Sequence, residues 1–195
     1  MPRHADPLLE TRILDAAAKL WKKGGEEALT MRAIARAART TTPTIYQRFK
    51  NREGILRALL QRIRRDAVQV LETSHSPQEA CRGYIEFGMN HPHEYELFFA
   101  GAPRLLYPGR PPAMAAWLAS RPGVELMRAK LAGWLGGSPQ DYVRLHLAMW
   151  ALTHGAAMLL ISKTVPEELS PELLRACETA VTQLVEAAHG FSDPQ

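Results

Sequence analysis

A group of hydroxyl-bearing residues near position 44 has side chains suited to molecular recognition. Thr42, Thr44 and Tyr46 can each exchange hydrogen bonds with a nucleic-acid base edge or a phosphate oxygen. The ring of Pro43 and the methyl group of Thr44 can also contact a thymine methyl. Small side chains of this kind let a helix approach base edges in the major groove of DNA. The residue types therefore indicate binding to DNA rather than the making or breaking of bonds.

These residues fall in the stretch 30–50, which the sequence predicts to be two short helices joined by a tight turn. Thr30 can cap the first helix and Thr41 the second, because a threonine hydroxyl accepts a hydrogen bond from an unpaired N–H at a helix N-terminus. Pro43 falls in the first turn of the second helix, where a missing N–H costs nothing. Apolar residues recur at helical spacing in both helices: Met31, Ile34, Ala35, Ala38, Ile45 and Phe49. The pattern is typical of a helix-turn-helix.

Positive charge surrounds this helix-turn-helix. Residues 1–65 contain 15 Lys and Arg against 6 Asp and Glu, whereas the remaining residues contain 9 and 14. A basic first third on a mildly acidic body fits nucleic-acid binding at one end, although a basic helix can also be only a solvated surface. Combined with the helix-turn-helix, the charge favours DNA. The residues suited to contact DNA are Thr30, Arg32, Arg39, Thr41, Thr42, Pro43, Thr44, Tyr46, Gln47, Lys50 and Arg52.

At these residues the chain resembles the TetR family of bacterial transcriptional regulators, over roughly residues 11–60. The family pattern is a Met-x-x-Ile-Ala helix followed by a short helix with Thr-Leu-Tyr-x-x-Phe. The corresponding residues here are Met31, Ile34, Ala35, Thr44, Ile45, Tyr46 and Phe49. Two positions depart from the pattern: Arg39 stands where the turn often has glycine, and Glu26 replaces an aromatic residue. If position 39 requires a positive φ, an arginine there is strained.

The rest of the chain favours an all-α fold, because helix-forming residues dominate and no alternating strand pattern appears. We expect about nine helices in two domains. Residues 1–52 form a three-helix DNA-binding domain with the helix-turn-helix, and residues 53–195 form a helical domain for effector binding and dimerisation, as the resemblance implies. The helix that starts after Asn51 has apolar residues at helical spacing across this boundary, so it is a candidate lever between the domains. The Gly- and Pro-rich stretch 101–112 is predicted to be a loop.

The body also resembles one C-terminal class of the same family, through the Trp-x-x-x-His-Gly pattern at Trp150, His154 and Gly155. For each aromatic residue of the body taken singly, the sequence favours a place in the core over a place in a binding pocket. The resemblance implies that some of them line an inducer pocket: Tyr84, Phe87, Phe98, Trp117, Trp150 and His154. Because the body is mildly acidic and rich in apolar residues, we expect a largely apolar effector that is neutral or cationic.

The last two long helices are predicted from Ser138 to about Lys163 and from Ser170 to about His189. The first, helix 8, contains the small residues Gly155, Ala156 and Ala157, and the second, helix 9, has one apolar side. These features are compatible with packing inside one chain. The resemblance implies instead a four-helix bundle made by two chains, and a homodimer is what an operator with two half-sites requires.

Several histidines and cysteines raise other kinds of chemistry. His91, His93 and Glu94 could bind a metal, but a real site needs three or four converging ligands, so capping of a helix break is favoured. His146 and His154 could relay protons, although a core histidine bonded to a carbonyl is favoured. The two cysteines, at positions 81 and 177, form no CxxC motif. We find no catalytic triad and no phosphate-binding glycine loop, so we expect no enzyme activity, metal or cofactor.

No apolar segment resembles a signal peptide, and the apolar run from Met149 is too short for a membrane span. We therefore expect a cytoplasmic protein that does not associate with a membrane. The resulting hypothesis is a transcriptional regulator that binds double-stranded operator DNA and is released by a small-molecule effector, most simply a repressor. The alternative is a helical small-molecule-binding or catalytic protein without specific DNA binding. Steep weakening of binding with salt would distinguish the first from the second.

Overall fold

The computed structural model describes residues 8–101 and 121–189, and these residues form nine α-helices and no strand. The helices are α1 (Leu9–Ala28), α2 (Met31–Ala37), α3 (Thr42–Phe49), α4 (Arg52–Thr73), α5 (Pro77–Asn90), α6 (Pro92–Glu96), α7 (Pro122–Leu135), α8 (Val143–Ile161) and α9 (Ser170–His189). A π-helical segment, Leu97–Gly101, follows α6, and a 3₁₀ turn, Glu167–Leu169, precedes α9. The predicted all-α fold is confirmed. The loop predicted at 101–112 lies, from residue 102 onward, outside the described residues.

The chain divides into two compact units, which differ from the predicted domains. The first unit contains residues 8–64 and 91–101, and the second contains residues 65–90 and 121–189. The first half of α4 and all of α6 therefore belong to the same unit as the helix-turn-helix. The functional division at residues 52 and 53 stays a prediction.

The first unit is built on α1, whose apolar side is buried. Its largest core residues are Ile13, Trp21, Leu29, Ile34, Ile45, Ile55, Leu56, Leu59 and Leu60. Helix α1 is kinked near its end, because Gly24 leaves helical geometry and Gly25 has a φ of 58°. Helix α6 packs against α1: the indole Nε1 of Trp21 donates a hydrogen bond to the His93 carbonyl at 2.7 Å. The His93 ring also lies against Gly25, where an added Cβ would come within 3.4 Å.

The second unit is organised around α5, α8 and α9, which pack against each other. Between α5 and α9, Gln78 donates a hydrogen bond to the Thr182 hydroxyl at 3.0 Å, and Arg82 pairs with Glu178 at 2.6 Å. Cys81 is buried beside this ion pair, and burial raises its pKa to about 12. A thiol with so high a pKa is almost entirely protonated near neutrality and is therefore a weak nucleophile.

One predicted helix start in the second unit is wrong. Helix α8 begins at Val143 rather than at Ser138, because Ser138 forms a turn in which both its N–H and its hydroxyl donate to Asp141 Oδ2. Local side-chain hydrogen bonds of this type compete with helix formation.

Helix α8 is apolar enough to need an explanation of its own. The sequence predicts that the apolar run from Met149 is too short to cross a membrane. The whole helix, Val143–Ile161, is long and apolar enough to do so by length and composition alone. A core helix of a globular protein meets the same criterion, and here α8 packs against α5 and α9. Its length and hydropathy are therefore weak evidence for a membrane span.

Candidate DNA interface and effector site

Both helices of the helix-turn-helix start with the predicted threonine caps. The Thr30 hydroxyl accepts a hydrogen bond from the Ala33 N–H at 3.1 Å, and the Thr41 hydroxyl accepts one from the Thr44 N–H at 3.4 Å. The Thr41 and Thr44 hydroxyls are also 2.8 Å apart and share a hydrogen bond. The caps fix where α2 and α3 begin, and the Thr44 hydroxyl is already engaged within the protein.

The turn between α2 and α3 requires a positive φ at Arg39, which is 52°. The Thr40 N–H bonds to the Ala35 carbonyl at 2.9 Å, and the Arg39 N–H bonds to the Arg36 carbonyl at 3.2 Å. These two bonds form a Schellman motif, in which glycine is the usual residue at the position of Arg39. The strain expected for an arginine here is confirmed, and it costs about 1–2 kcal/mol.

Helix α3 buries its apolar residues and exposes most of its polar ones. Ile45 and Phe49 are buried, whereas Pro43, Tyr46 and Gln47 are exposed. Thr42 and Thr44 are half-buried, close to the helix start. The cations beside the two helices are exposed and form no ion pair with any described residue: Arg32, Arg36, Arg39, Arg48 and Lys50. This surface offers hydroxyl, amide and guanidinium donors without a neighbouring carboxylate partner.

Arg52 differs from the other predicted DNA-contacting cations, because it is bonded inside the first unit. Its Nε donates to the Leu29 carbonyl at 2.9 Å, and one Nη donates to the Glu26 carbonyl at 2.7 Å. The other Nη pairs with the Glu26 carboxylate at 3.0 Å. Glu26, which replaces an aromatic residue of the family pattern, thus helps to join the end of α1 to α4 by polar contacts. Contact of Arg52 with DNA stays a prediction.

In the second unit, three of the predicted effector-binding residues come together around Trp150. Its indole Nε1 donates a hydrogen bond to the Tyr84 hydroxyl at 3.1 Å, and the His154 ring centroid lies 6.3 Å away. The Arg121 guanidinium lies over the Trp150 ring, 5.4 Å from its centroid. Burial and, secondarily, Arg121 lower the pKa of His154. The result is a half-buried cluster with aromatic surface and several polar groups.

The other predicted effector residues do not all join this cluster. Phe87 is half-buried on α5, one turn from Tyr84. Phe98 belongs to the first unit, where its ring packs edge-on against Phe99 at 4.7 Å. Trp117 lies outside the described residues.

His146, two turns before His154 on α8, has surroundings that sequence reasoning missed. The prediction that its ring bonds to a carbonyl is wrong: neither ring nitrogen has a hydrogen-bond partner. The charged group that acts on His146 is Arg128 of α7, whose Nε is also buried without a hydrogen-bond partner among the described residues. Burial and, secondarily, Arg128 lower the pKa of His146 to about 4, so the ring is neutral near pH 7. Helical spacing placed this histidine on α8 but carried no information about α7.

The candidate metal residues have other contacts. His91 Nδ1 lies 4.0 Å from the Glu94 carboxylate, and His93 Nδ1 lies 3.5 Å from that of Glu96. Within residues 8–101 and 121–189, no three His, Cys, Asp or Glu side chains are grouped as metal ligands would be. The His93 carbonyl accepts the hydrogen bond from Trp21 that joins α6 to α1.

Two family models match the sequence of this chain. Residues 13–59 match the family described as bacterial regulatory proteins, tetR family, and residues 78–184 match the tetracyclin repressor-like, C-terminal domain. The second match alone covers more than half of the chain. The chain belongs to the TetR family. TetR-family proteins are DNA-binding transcriptional regulators and are generally not enzymes.

One relative resembles the first part of the chain in sequence, and solved structures resemble its fold. An uncharacterised HTH-type transcriptional regulator of Bacillus subtilis strain 168, YvkB, is 41% identical over 61 residues, which span 31% of this chain and 32% of the relative. A protein of unknown function from Rhodococcus sp. RHA1 has a similar fold, with a TM-score of 0.71 and 19% identity over 95% of this chain and 97% of that one. The multidrug binding protein EbrR, in complex with imidazole, has a TM-score of 0.65 and 21% identity over 94% and 93%.

Proposed function

We propose that this TetR-family protein is a cytoplasmic dimeric repressor that binds operator DNA through α2 and α3 and is released by a small, largely apolar effector. The observation that carries the proposal is the surface of α3. Its apolar residues are buried, Tyr46 and Gln47 are exposed, and half-buried threonines lie near the helix start. Cations that form no ion pair with a described residue flank it. A surface of this composition suits the major groove, where phosphates surround the base edges.

Each predicted contact residue has a role in this proposal. Thr42 and Gln47 supply hydrogen-bonding groups for base edges, and Pro43 with the Thr44 methyl supplies apolar contact to thymine. Tyr46 is exposed, so its hydroxyl is available to a phosphate at the groove wall. The remaining proposed contacts come from the cap residues and the nearby cations: Thr30, Thr41, Arg32, Arg39, Lys50 and Arg52. The positive charge of the four cations in this group gives DNA affinity that depends on salt but not on sequence.

Dimerisation through α8 and α9 is supported by an exposed apolar stripe on α8. The stripe consists of large and small apolar residues at helical spacing: Val143, Leu147, Ala151, Gly155, Met158 and Leu159. An added Cβ at Gly155 would meet no atom of the described residues within 4 Å, so in this part of the chain the space above it is open to another helix. A second copy of α8 and α9 would cover the stripe, and the resulting two-fold symmetry fits an operator with two half-sites.

The effector would act by shifting the population between two spacings of the recognition helices in the dimer. The cluster of Tyr84, Trp150 and His154, with Phe87 nearby, supplies an aromatic surface with hydrogen-bonding groups, the usual composition of a small-molecule site. Phe98 and Trp117 remain candidates on the resemblance alone. Helix α4 continues from the first unit into the second, so it is the proposed element that transmits the change.

The test is selection of bound sequences from a random DNA pool, followed by titration of the selected duplex at several salt concentrations. We expect a palindromic site and an affinity that falls steeply as salt rises, because several Lys and Arg displace counterions from phosphates. A helical ligand-binding protein without specific DNA binding would enrich no sequence.

Two variants then separate base reading from phosphate contact. Thr42→Ala should relax the preference at one position of each half-site, since a lost base contact is worth about 1–3 kcal/mol. Tyr46→Phe should weaken all sequences similarly, because a phosphate contact carries no sequence information. An unchanged selection profile for Thr42→Ala would remove Thr42 from the base-reading surface.

A further inference from the structure

The second unit contains two buried polar side chains, His146 and Arg128, with nitrogen atoms that have no hydrogen-bond partner among the described residues. His146 is only 8% exposed, and neither of its ring nitrogens has a partner. The side chain of Arg128 is 11% exposed, and its Nε has no partner either. Arg128 forms one ion pair, through Nη2, with the largely exposed Glu125 one turn earlier on α7. The inward part of this guanidinium therefore lacks an acceptor.

Such an arrangement is costly in a protein that merely has to fold. Buried donors and acceptors without partners are rare, because each loses its hydrogen bonds to water without replacement. An apolar residue at position 146 would avoid this cost in a helix whose neighbouring buried residues include Leu145 and Met149. A bound molecule with hydrogen-bond acceptors would supply the missing partners.

The same side of α8 has a second arginine. His146, Trp150 and His154 follow each other at intervals of one helical turn, and Arg121 stacks on Trp150 at 5.4 Å. Arg128 lies on α7, which packs against α8. Besides burial, which is the larger cause, the charge of Arg128 lowers the pKa of His146 and that of Arg121 lowers the pKa of His154. Both guanidinium groups raise the electrostatic potential along this row, which disfavours a cation and favours an anion.

We propose that the effector of this protein is an apolar carboxylic acid whose carboxylate binds Arg128 Nε and the ring of His146. Its apolar part lies against Trp150. The inference rests on the proposed function, because it names the class of molecule for the same effector site. A carboxylate matches the donors: a charged guanidinium N–H and one N–H of a neutral imidazole form charge-assisted hydrogen bonds with its two oxygens. The expectation of a neutral or cationic effector followed from the average charge of the body, whereas the buried groups without partners at this place are Arg128 Nε and the His146 ring nitrogens.

Matched sets of compounds test the proposal on the purified full-length protein. The sets are 2-naphthoate, 2-naphthamide and 2-naphthylmethylamine, and octanoate, octanamide and octylamine. Members of a set differ chiefly in the charge of the polar group, so apolar contacts are nearly constant. In calorimetric titrations at pH 7.5, each carboxylate should bind about tenfold to a hundredfold more tightly than its amide, and the amine should bind most weakly. Equal affinity within both sets, or no binding by either carboxylate, overturns the proposal.

Variants locate the carboxylate. Arg128→Met keeps the length and apolar stem of the side chain but removes the guanidinium, so the carboxylate and the amide should bind with equal affinity. Arg175→Met is the matched control, because Arg175 pairs with Glu172 at the same i, i+3 spacing but is exposed on α9. A preference for carboxylate that survives Arg128→Met shows that the binding site is elsewhere and overturns the proposal.

His146 provides two measurements that do not depend on affinity: the melting temperature of a variant and the signals of the ring nitrogens. His146→Leu should raise the melting temperature of the ligand-free protein, since it removes two unsatisfied buried nitrogens, and should lower carboxylate affinity about tenfold. In nuclear magnetic resonance spectra, the ring nitrogens of His146 should shift when 2-naphthoate is added and not when octylamine is added. Unchanged ring signals at saturating 2-naphthoate overturn the proposal.

Operator titration distinguishes failure of this inference from failure of the proposed function. If the protein binds the selected operator but does not prefer carboxylates, the proposed repressor function stands and the proposed acid effector is wrong. Tight carboxylate binding by a protein that enriches no DNA sequence would retain the acid site and reject the repressor.

Discussion

In α3 the apolar residues Ile45 and Phe49 are buried and the polar residues are mostly exposed, whereas α8 buries His146 and exposes Leu147 and Leu159. The first distribution is that of a helix whose apolar side is completely covered by its own chain. The second leaves apolar surface open to water and polar atoms without partners. The comparison shows that the chain itself covers the apolar side of α3, whereas α8 keeps exposed apolar residues and a buried histidine without partners among the described residues. In the two proposals above, a second copy covers the exposed residues of α8 and a ligand supplies the missing partners.

The largest expected effect is on the exposed stripe of α8. Leu147 is 45% exposed in the single chain, so Leu147→Glu should leave the fold of the chain intact. In the proposed dimer the new carboxylate would be buried without a partner, at a cost of several kcal/mol. Sedimentation velocity should show folded monomers, and operator binding should be lost.

Leu169→Glu is the matched control for this variant. Leu169 is 51% exposed but lies in the 3₁₀ turn before α9, away from the stripe. The Leu169→Glu variant should remain dimeric and should bind the operator with the affinity of the wild type. If Leu147→Glu also remained a dimer of unchanged operator affinity, the proposed difference between α3 and α8 would no longer involve dimerisation.

The next effect is the dependence of stability on pH. His146 has a pKa of about 4 in the folded protein, against about 6.5 for an unperturbed histidine. The unfolded state therefore binds more protons between these values, and the free energy of unfolding should fall by about 3 kcal/mol as the pH drops from 6.5 to 4. His154, whose pKa is also lowered, changes stability in the same direction.

Urea unfolding of the wild type and of His146→Leu at pH 7.5 and pH 4.5 measures this contribution. The difference between the two pH values should be smaller in His146→Leu, whereas His75→Leu, at an exposed position of the same unit, should behave like the wild type. The same pH dependence in His146→Leu and wild type would show that the ring is not buried in a neutral state.

The smallest effect concerns the cations of the first unit. Arg52→Ala removes three hydrogen bonds that join α4 to the end of α1, and it should lower stability by about 2 kcal/mol, a value reduced by the partial exposure of the side chain. Arg36→Ala removes an exposed cation without an ion pair, so stability should hardly change while DNA affinity falls. Thermal unfolding and operator titration of both variants give the comparison. Equal stability of the two variants would mean that Arg52 is not a structural residue.

Several local features of the first unit could be predicted because neighbouring residues determine them. Thr30 and Thr41 cap their helices through N–H groups three residues away, and the apolar spacing of α3 selects Ile45 and Phe49 for burial. Periodicity and caps depend on residues within one or two turns, so they can be read directly along the chain. The positive φ at Arg39 also belongs to a local turn, but the sequence alone left open whether position 39 requires it.

Features that join distant residues could not be predicted in this way. The sequence placed Arg52 among the DNA-contacting cations, but only the folded chain brings it to the carbonyl groups of Glu26 and Leu29. The start of α8 is a local exception: the hydrogen bonds of Ser138 to Asp141, three residues away, stabilise a turn instead of a helix, and helix-start patterns do not describe this turn geometry.

The sequence by itself determined the class of this protein: an all-α regulator with a capped helix-turn-helix and a Trp-x-x-x-His-Gly body, because those patterns follow from local spacing and residue chemistry. The tertiary structure decided which groups are left unsatisfied. Burial of His146 beside Arg128 depends on how α7 packs against α8, and exposure of Leu147 depends on which sides of α8 are covered by α5 and α9. Burial and electrostatic potential are sums over neighbours distant in sequence, so they are defined only once the helices have packed.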